Sequence, residues 1–384
     1  MTIEPGHARP LRIGLCAPYD LGRDGGVNSH IRAQARVLRG LGHDVCVFGA
    51  SSAPLADGEV ALSTSISLVI GGTETGIGVD PRSWWRVAGL FRTARFDVLH
   101  LHEPLMPLVP WFALRQSTVP VVATFHTHRE QGHRWYGPYH WLLAPLMQRI
   151  HVRLAVSDAA RRTVANDFPG DYEVVPNGID VNRFRQAAAR PATMPDDRRF
   201  VLFVGRLEPR KGVDRLIRAM AVVQQQAPDA RLVIVGEGPD RAALEATARD
   251  AGVYATFTGH VSDDDLPAYY RAADIVCSPA LGGESFGVVL LEAMAAGRPI
   301  VATRIEGYRE LLASAGSARL VDVDDEAAIG REITLLLDAP ELRRTLGASG
   351  AAFVRAYDWN TIARRLESIY TRLQPTSTPV QHGE

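Results

Sequence analysis

Short apolar, β-branched runs alternate with helix-period segments along nearly the whole chain, and this alternation confines the fold to parallel βαβ units. A first series runs through LRIGLCAPY, DVCVFGA, FDVLHLHEP, VPVVATFHTH and RLAVSD, with a helical stretch between each pair. Gly25 and Gly26 lead into the first of these helices, expected from about Val27 to Leu41. A second series takes in RFVLFVGRLEPRKG, ARLVIVGEGPD, ATFTGHV, ADIVCSPA, RPIVATR and ARLVDV. With 384 residues the chain is long enough for two domains, each with its own core. The expected fold class is α/β, with two Rossmann-like, doubly wound sheets.

The expected order is a flexible N-terminus at 1–10, a first domain at 11–190 and a second at 196–356. A closing helix over 357–373 packs back on the first domain, and a polar, proline-bearing tail at 374–384 is disordered. Between the domains, Asp180 to Arg198 mixes Ala, Pro and Asp with little periodicity and reads as a linker.

A formal net charge of −1 gives no global field toward nucleic acid, so any attraction to anions is local. Cys16, Cys46 and Cys277 sit in strand-like apolar runs, and their odd number favours reduced, buried thiols of a cytoplasmic protein. No metal-ligand spacing is present, so no metal is expected. The first ten residues lack an apolar signal core, and no run has the apolar length to span a bilayer. The chain reads as soluble, or as resting on a membrane without crossing it.

The chemistry concentrates in GGESFGVVLLEAMAAGRPIVAT, Gly282 to Thr303, which sets Glu284 and Glu292 eight positions apart across a loop and a helix start. Gly287 opens that helix, Gly297 suits a left-handed stop, and Pro299 prevents continuation. With no basic neighbour in sequence closer than Arg298, the two carboxylates look placed to accept hydrogen bonds from hydroxyls. The other reading is a helix N-terminus carrying acids for its dipole. In VLFVGRLEPRKG, Arg206 follows a strand and the pair Arg210 and Lys211 precedes a helix, a setting suited to a diphosphate clamped by Arg206 and Lys211. A solvated surface pair is the plainer alternative. His260 and Val261 lie on a loop able to hold a planar base through backbone groups. A base near Val261, a ribose on Glu292, a diphosphate on Arg206 and Lys211 and a hexose on Glu284 compose a nucleotide sugar.

These segments resemble the retaining glycosyltransferases of family 4, over nearly the whole chain. The Glu284-to-Glu292 element together with RLEPRKG is a specific combination. GGVNSH, FDVLHLHEP, VVATFHTH, RLAVSDAARR and VVPNGID look closest to the phosphatidylinositol mannosyltransferase branch. The resemblance implies the GT-B fold, two Rossmann-like domains facing across a cleft, with the last helix crossing back. It also implies roles. Gly25 and Gly26 would form a loop closing over the diphosphate, and His126 would sit near the donor sugar and the acceptor hydroxyl. Arg206 and Lys211 would neutralise the leaving diphosphate. Glu284, with the backbone of Phe286, Gly287 and Val288, would hold hexose hydroxyls, and Glu292 the ribose. No cofactor is required beyond the nucleotide-sugar donor, for which GDP-mannose leads and a UDP-sugar stays open. The acceptor would be a hydroxyl of a phosphatidylinositol-type lipid, or a small molecule or glycan.

Two stretches bear on the acceptor. In PRSWWRVAGLFRTARF, Trp84, Val87, Ala88 and Phe91 recur at helical spacing among Arg82, Arg86, Arg92 and Arg95. Such a helix either lies on an anionic membrane surface or packs on its own sheet with its arginines in water. HREQGHRWYGPYHWLLAPLMQR carries bulky rings and histidines where the mannosyltransferases carry small polar residues and lysine, so the acceptor stays open. Two other classes share the architecture. A nucleotide-sugar 2-epimerase would need no acceptor cleft. A dinucleotide dehydrogenase requires G-x-G-x-x-G after the first strand, and APYDLGRDGGVNSH fails that spacing.

Overall fold

A computed structural model describes residues 9–23, 25–70, 73–129, 136–186 and 189–375. Most of the expected N-terminal segment and tail (1–8 and 376–384) lies outside the described residues, as do 130–135 of the aromatic stretch. The chain divides into two compact units. Residues through 127, 136–175 and 359–375 cluster as the first; 128–129 and 176–358 cluster as the second.

The first unit holds a seven-stranded sheet with every neighbouring pair parallel. Its order is Glu59–Ser63, Asp44–Ala50, Arg12–Cys16, Val98–His102, Val121–Phe125, Val152–Ala155, Glu173–Val174. The order reverses between Arg12–Cys16 and Val98–His102, the doubly wound switch. Strands buried on both faces need apolar residues on both, and the core accordingly forms two clusters. One contains Leu99, Leu101, Val121 and Phe125; the other contains Ile13, Leu15, Val98 and Val122. The final helix, Trp359–Arg372, repeats apolar residues at Trp359, Ile362, Leu366, Ile369 and Tyr370. That stripe joins Ile31, Ala35 and Leu38 of helix Gly26–Gly40 in the second cluster, so the closing helix belongs to the first unit, as expected. Inside the contact, Gln34 donates to the Tyr370 hydroxyl at 2.9 Å.

Three elements of this unit had no clear sequence signal. They are the edge strand Glu59–Ser63, the antiparallel hairpin Ser65–Ile70/Thr73–Gly78, and the two-residue strand Glu173–Val174. Glu59–Ser63 and Glu173–Val174 are short edge strands of this sheet, and the hairpin forms a separate two-stranded sheet outside the βαβ alternation.

The second unit has six parallel strands in the order Ala255–Gly259, Ala230–Val235, Arg199–Val204, Ile275–Ser278, Ile300–Thr303, Ala318–Val321. Its reversal lies between Arg199–Val204 and Ile275–Ser278. The segment expected as a linker carries the short helix Val181–Arg185, which packs within this unit. Phe184 meets Tyr270 edge-on with 5.5 Å between ring centres, and Arg271 donates to the Arg185 carbonyl at 2.9 Å. Cys16 and Cys277 are buried and Cys46 half-buried, all three unpaired. No helix among the described residues is long and apolar enough to cross a membrane.

Candidate active site

Because every strand of the second sheet runs the same way, the loops after them gather along one carboxyl edge. Arg206 follows Arg199–Val204, Val261 follows Ala255–Gly259, and the loop to Glu284 follows Ile275–Ser278. The first and third of these flank the reversal of strand order, where open α/β sheets bind ligands. A one-turn 3₁₀ helix, Pro209–Lys211, carries the basic pair and hands over to helix Val213–Gln226. Between them Gly212 turns at φ +65°, and a Cβ there would lie 2.2 Å from the Pro279 carbonyl oxygen. Only glycine permits both the left-handed turn and this approach. The contact draws the basic turn against the loop leading to Glu284, and the Leu281 amide donates to the Arg210 carbonyl at 2.8 Å.

The side chains converge accordingly. Lys211 Nζ lies 2.7 Å from Glu284 Oε1, and Arg210 pairs with the same oxygen. Behind them Glu208 is buried and bridges two guanidiniums: Arg206 Nε at 2.8 Å and Arg210 Nε at 3.0 Å. Burial works against the Arg210 charge, but Glu284 and Glu208 outweigh it and raise its pKa. Three cations and two carboxylates thus form one network. Glu284, without a basic neighbour close in sequence, is in the fold paired directly with Lys211 and Arg210, which sequence distance concealed. Glu208 was not singled out, and Arg210, noted beside Lys211, was given no role of its own, although RLEPRKG spells both out.

Glu292 sits in helix Val288–Ala295, which opens at Gly287 with φ +83°. A Cβ at Gly287 would lie 2.7 Å from the Tyr308 ring, so the helix start is held against that buried tyrosine. Gly297 stops the helix at φ +67°, as the sequence pattern predicts. Glu292 Oε2 accepts a 2.6 Å hydrogen bond from the hydroxyl of fully buried Tyr270. Burial pushes its carboxyl up to about 7, against the lowering effect of the Tyr270 bond and the Arg183 charge. Phe286 is buried against Tyr357, with 6.0 Å between ring centres, while Val288 is exposed at the helix start. Val261 is half-buried and His260 exposed at the end of the edge strand.

In the first unit, the loop after Arg12–Cys16 is anchored by Asn28, whose amide donates to the Asp20 carbonyl at 2.8 Å and the Arg23 carbonyl at 3.0 Å. Gly25, extended at φ −178°, caps helix Gly26–Gly40. A Cβ at Gly25 or Gly26 would meet no protein atom within 4 Å. Neither glycine is therefore demanded by packing, and both present open backbone.

His126 directly follows strand Val121–Phe125 and is buried. Its Nε2 lies 2.8 Å from His102 Nδ1. Burial, reinforced by His30 and His100, holds its pKa well below that of free imidazole, so the ring is neutral at pH 7. Its backbone is fixed by Glu103, buried and in the left-handed region at φ +43°. One carboxylate oxygen of Glu103 accepts from the His126 amide at 2.7 Å, the Thr127 amide at 2.7 Å and the Thr127 hydroxyl at 2.8 Å. Sequence reading singled out neither Glu103 nor His102. Alternation was the available signal, since FDVLHLHEP points His100 and His102 to one face.

The proposed amphipathic stretch forms helix Ser83–Ala94. Its apolar stripe is turned inward: Val87 is fully buried, Trp84 packs on Phe112, and Phe91 packs on Phe48 and Phe96. That stripe is thus core and not a membrane face. Trp85 instead points outward, 73% exposed, and on helix His140–Met147 Trp141 is 74% exposed.

Two Rossmann-type sheets, with a cationic, acid-linked site at the switch of the second, define a GT-B-type glycosyltransferase. Comparison with known families agrees. The profile described as "Glycosyltransferase Family 4" matches residues 24–183, and "Glycosyl transferases group 1" matches 184–353. The chain belongs to glycosyltransferase family 4 and is a glycosyltransferase. Among its relatives, a "Phosphatidyl-myo-inositol mannosyltransferase" of Mycolicibacterium smegmatis is 35% identical over 374 residues, 97% of this chain and 96% of that one. The protein of the same name from Mycobacterium tuberculosis is 36% identical over 378 residues, 97% and 99% of the two chains. Among solved structures, a sucrose-phosphate synthase from Thermosynechococcus elongatus aligns with a TM-score of 0.75 at 22% identity, over 94% of this chain and 98% of that chain. Family membership sets aside the nucleotide-sugar 2-epimerase that architecture alone left open.

Proposed function

We propose that the protein transfers mannose from GDP-mannose to a hydroxyl of a phosphatidylinositol-type lipid. The observation that carries this reading is the network of Arg206, Arg210 and Lys211 around Glu208 and Glu284 at the switch of the second sheet. A bound diphosphate would take over the cations, and Glu284 would then turn its oxygens to hexose hydroxyls. Preorganised cations at a leaving diphosphate are the largest contribution such a site can make. Glu292 would hold the ribose, Val261 the base, and the backbone of Phe286, Gly287 and Val288 the sugar. Gly25 and Gly26, with open backbone, and His126, a neutral imidazole, keep the donor-binding roles that the family resemblance implies for them. The mannosyl and phosphatidylinositol parts rest on the names of relatives 35–36% identical over 97% of the chain.

The lipid acceptor places the protein peripherally at an anionic, cytoplasmic membrane face. Trp85 and Trp141 support this, as exposed indoles suited to the headgroup layer. Vesicles containing phosphatidylinositol at low salt test it; absence of co-sedimentation counts against a membrane-bound acceptor.

A thermal-shift panel of GDP-, UDP- and ADP-sugars tests the donor. At 100 times the dissociation constant, a ligand bound only by the folded state adds about 2.7 kcal/mol of stability. Stabilisation by GDP-mannose alone is expected, and equal stabilisation by UDP-glucose overturns the base assignment.

A further inference from the structure

Three histidines that the chain keeps far apart meet in the first unit. His30 lies on helix Gly26–Gly40, His102 ends one strand and His126 follows the next, at sequence separations of 72 and 24. Their ring centres are 5.4 Å (His30–His102), 5.0 Å (His30–His126) and 5.1 Å (His102–His126) apart. One ring nitrogen from each lies within 4.8 Å of the other two. His102 and His126 already share a proton across 2.8 Å. Beyond that bond the cluster is short of partners. His30 Nδ1, buried, has no partner at hydrogen-bond geometry among the described residues. A buried imidazole nitrogen left unpaired carries a cost and calls for an explanation.

We infer that His30, His102 and His126 form a binding site for a borderline divalent transition-metal cation of the zinc class. Three imidazoles with an open fourth position suit such ions, whereas Mg²⁺ and Ca²⁺ prefer oxygen. Tetrahedral bonds of about 2.0–2.1 Å need nitrogens roughly 3.3 Å apart, so the rings would close by about 1.5 Å at most. The cation would take the place of the proton shared by His102 and His126, which shifts to the other nitrogen of the ring that carried it so that both rings bind as neutral imidazoles, and would take His30 as its third ligand. The sequence pattern hid this set because no two of its members lie at a metal-motif spacing. A consequence that rests on the proposed role of His126 is that occupancy inhibits transfer by withdrawing that ring from the sugar.

The test uses the full chain without a histidine tag, stripped of metal and titrated with Zn²⁺ against a chromophoric competitor, with Mg²⁺ in parallel. One Zn²⁺ per chain is expected, with no competition from Mg²⁺. His30→Gln and His102→Gln should each weaken binding by at least the 10–100-fold that loss of an outer partner costs a metal site. Co²⁺ in the unsubstituted protein should give the intense visible bands of a tetrahedral site, a readout that needs no variant to fold. Binding that changes less than about threefold in both folded variants, or a Co²⁺ spectrum of octahedral weakness, overturns the site. Zn²⁺ binding is read without donor or acceptor, so its failure is distinct from failure of the mannosyltransferase reading.

Discussion

Lys211 Nζ and Glu284 Oε1 are 2.7 Å apart, so the cation expected to hold the leaving diphosphate and the acid expected to hold the sugar are paired with each other. The pairing stores the cations in a low-cost arrangement before a donor arrives. A diphosphate entering there would exchange one anion for another on Lys211 and Arg210, while Glu284 would pass from its cations to sugar hydroxyls.

Removing a cation isolates its contribution. Lys211→Ala or Arg206→Ala should lower kcat/KM on the order of 10²–10³-fold, as for other charge-stabilising donors lost from a preorganised site. Steady-state kinetics of mannosyl transfer check this; rates within threefold of the parent remove the residue from the mechanism.

Glu284→Gln separates the two roles of that carboxylate. The substitution deletes the anion competing for Lys211 and Arg210, so free GDP should bind as tightly as before or more tightly by calorimetry. Transfer of mannose should nevertheless fall. A parallel loss of GDP affinity contradicts the assignment of Glu284 to the sugar end.

The Glu292 carboxyl gives a pH dependence with a defined sign. Its folded value, raised from 4.5 to about 7, means the folded state binds this proton more tightly than the unfolded chain. The group is stability-neutral below the unfolded value, and its cost grows as pH rises through the window to about 7. At 1.36 kcal/mol per unit the full cost is on the order of 3 kcal/mol. Glu292→Gln should therefore be more stable than the parent at about pH 8 and lose that advantage near pH 5, measured by urea denaturation without donor. An advantage of the same size at both values contradicts it.

Much of this arrangement could be read in the chain. Both βαβ series, the Gly287 start and Gly297 stop, and the closing helix were legible because each follows from local periodicity or backbone conformation. The Lys211–Glu284 pairing was not. It spans 73 positions and depends on the Gly212 turn meeting Pro279, a tertiary approach that no local pattern encodes. The inward turn of Trp84, Val87 and Phe91 was equally hidden, since an apolar stripe has the same spacing on a core as on a lipid surface. Glu103 escaped notice because its importance lies in the backbone it holds.

That last residue makes a separate prediction. Glu103→Ala leaves the His126 and Thr127 amides and the Thr127 hydroxyl without their acceptor. Each unpaired buried group costs about 1–3 kcal/mol. Glu103→Gln keeps a carbonyl oxygen and should recover most of the stability. Equal melting temperatures for parent, Ala and Gln forms contradict the anchoring role.

On the proposed function, the switch-point network of the second unit grips a nucleoside diphosphate sugar, and its hexose passes to a phosphatidylinositol-type lipid. Mass spectrometry of vesicles incubated with GDP-mannose tests it most directly, comparing the parent chain with Lys211→Ala. Phosphatidylinositol bearing one added hexose is expected with the parent, and a product yield lower by on the order of 10²-fold with the variant. Unmodified lipid with a folded parent chain, or equal yield from both chains, would contradict it.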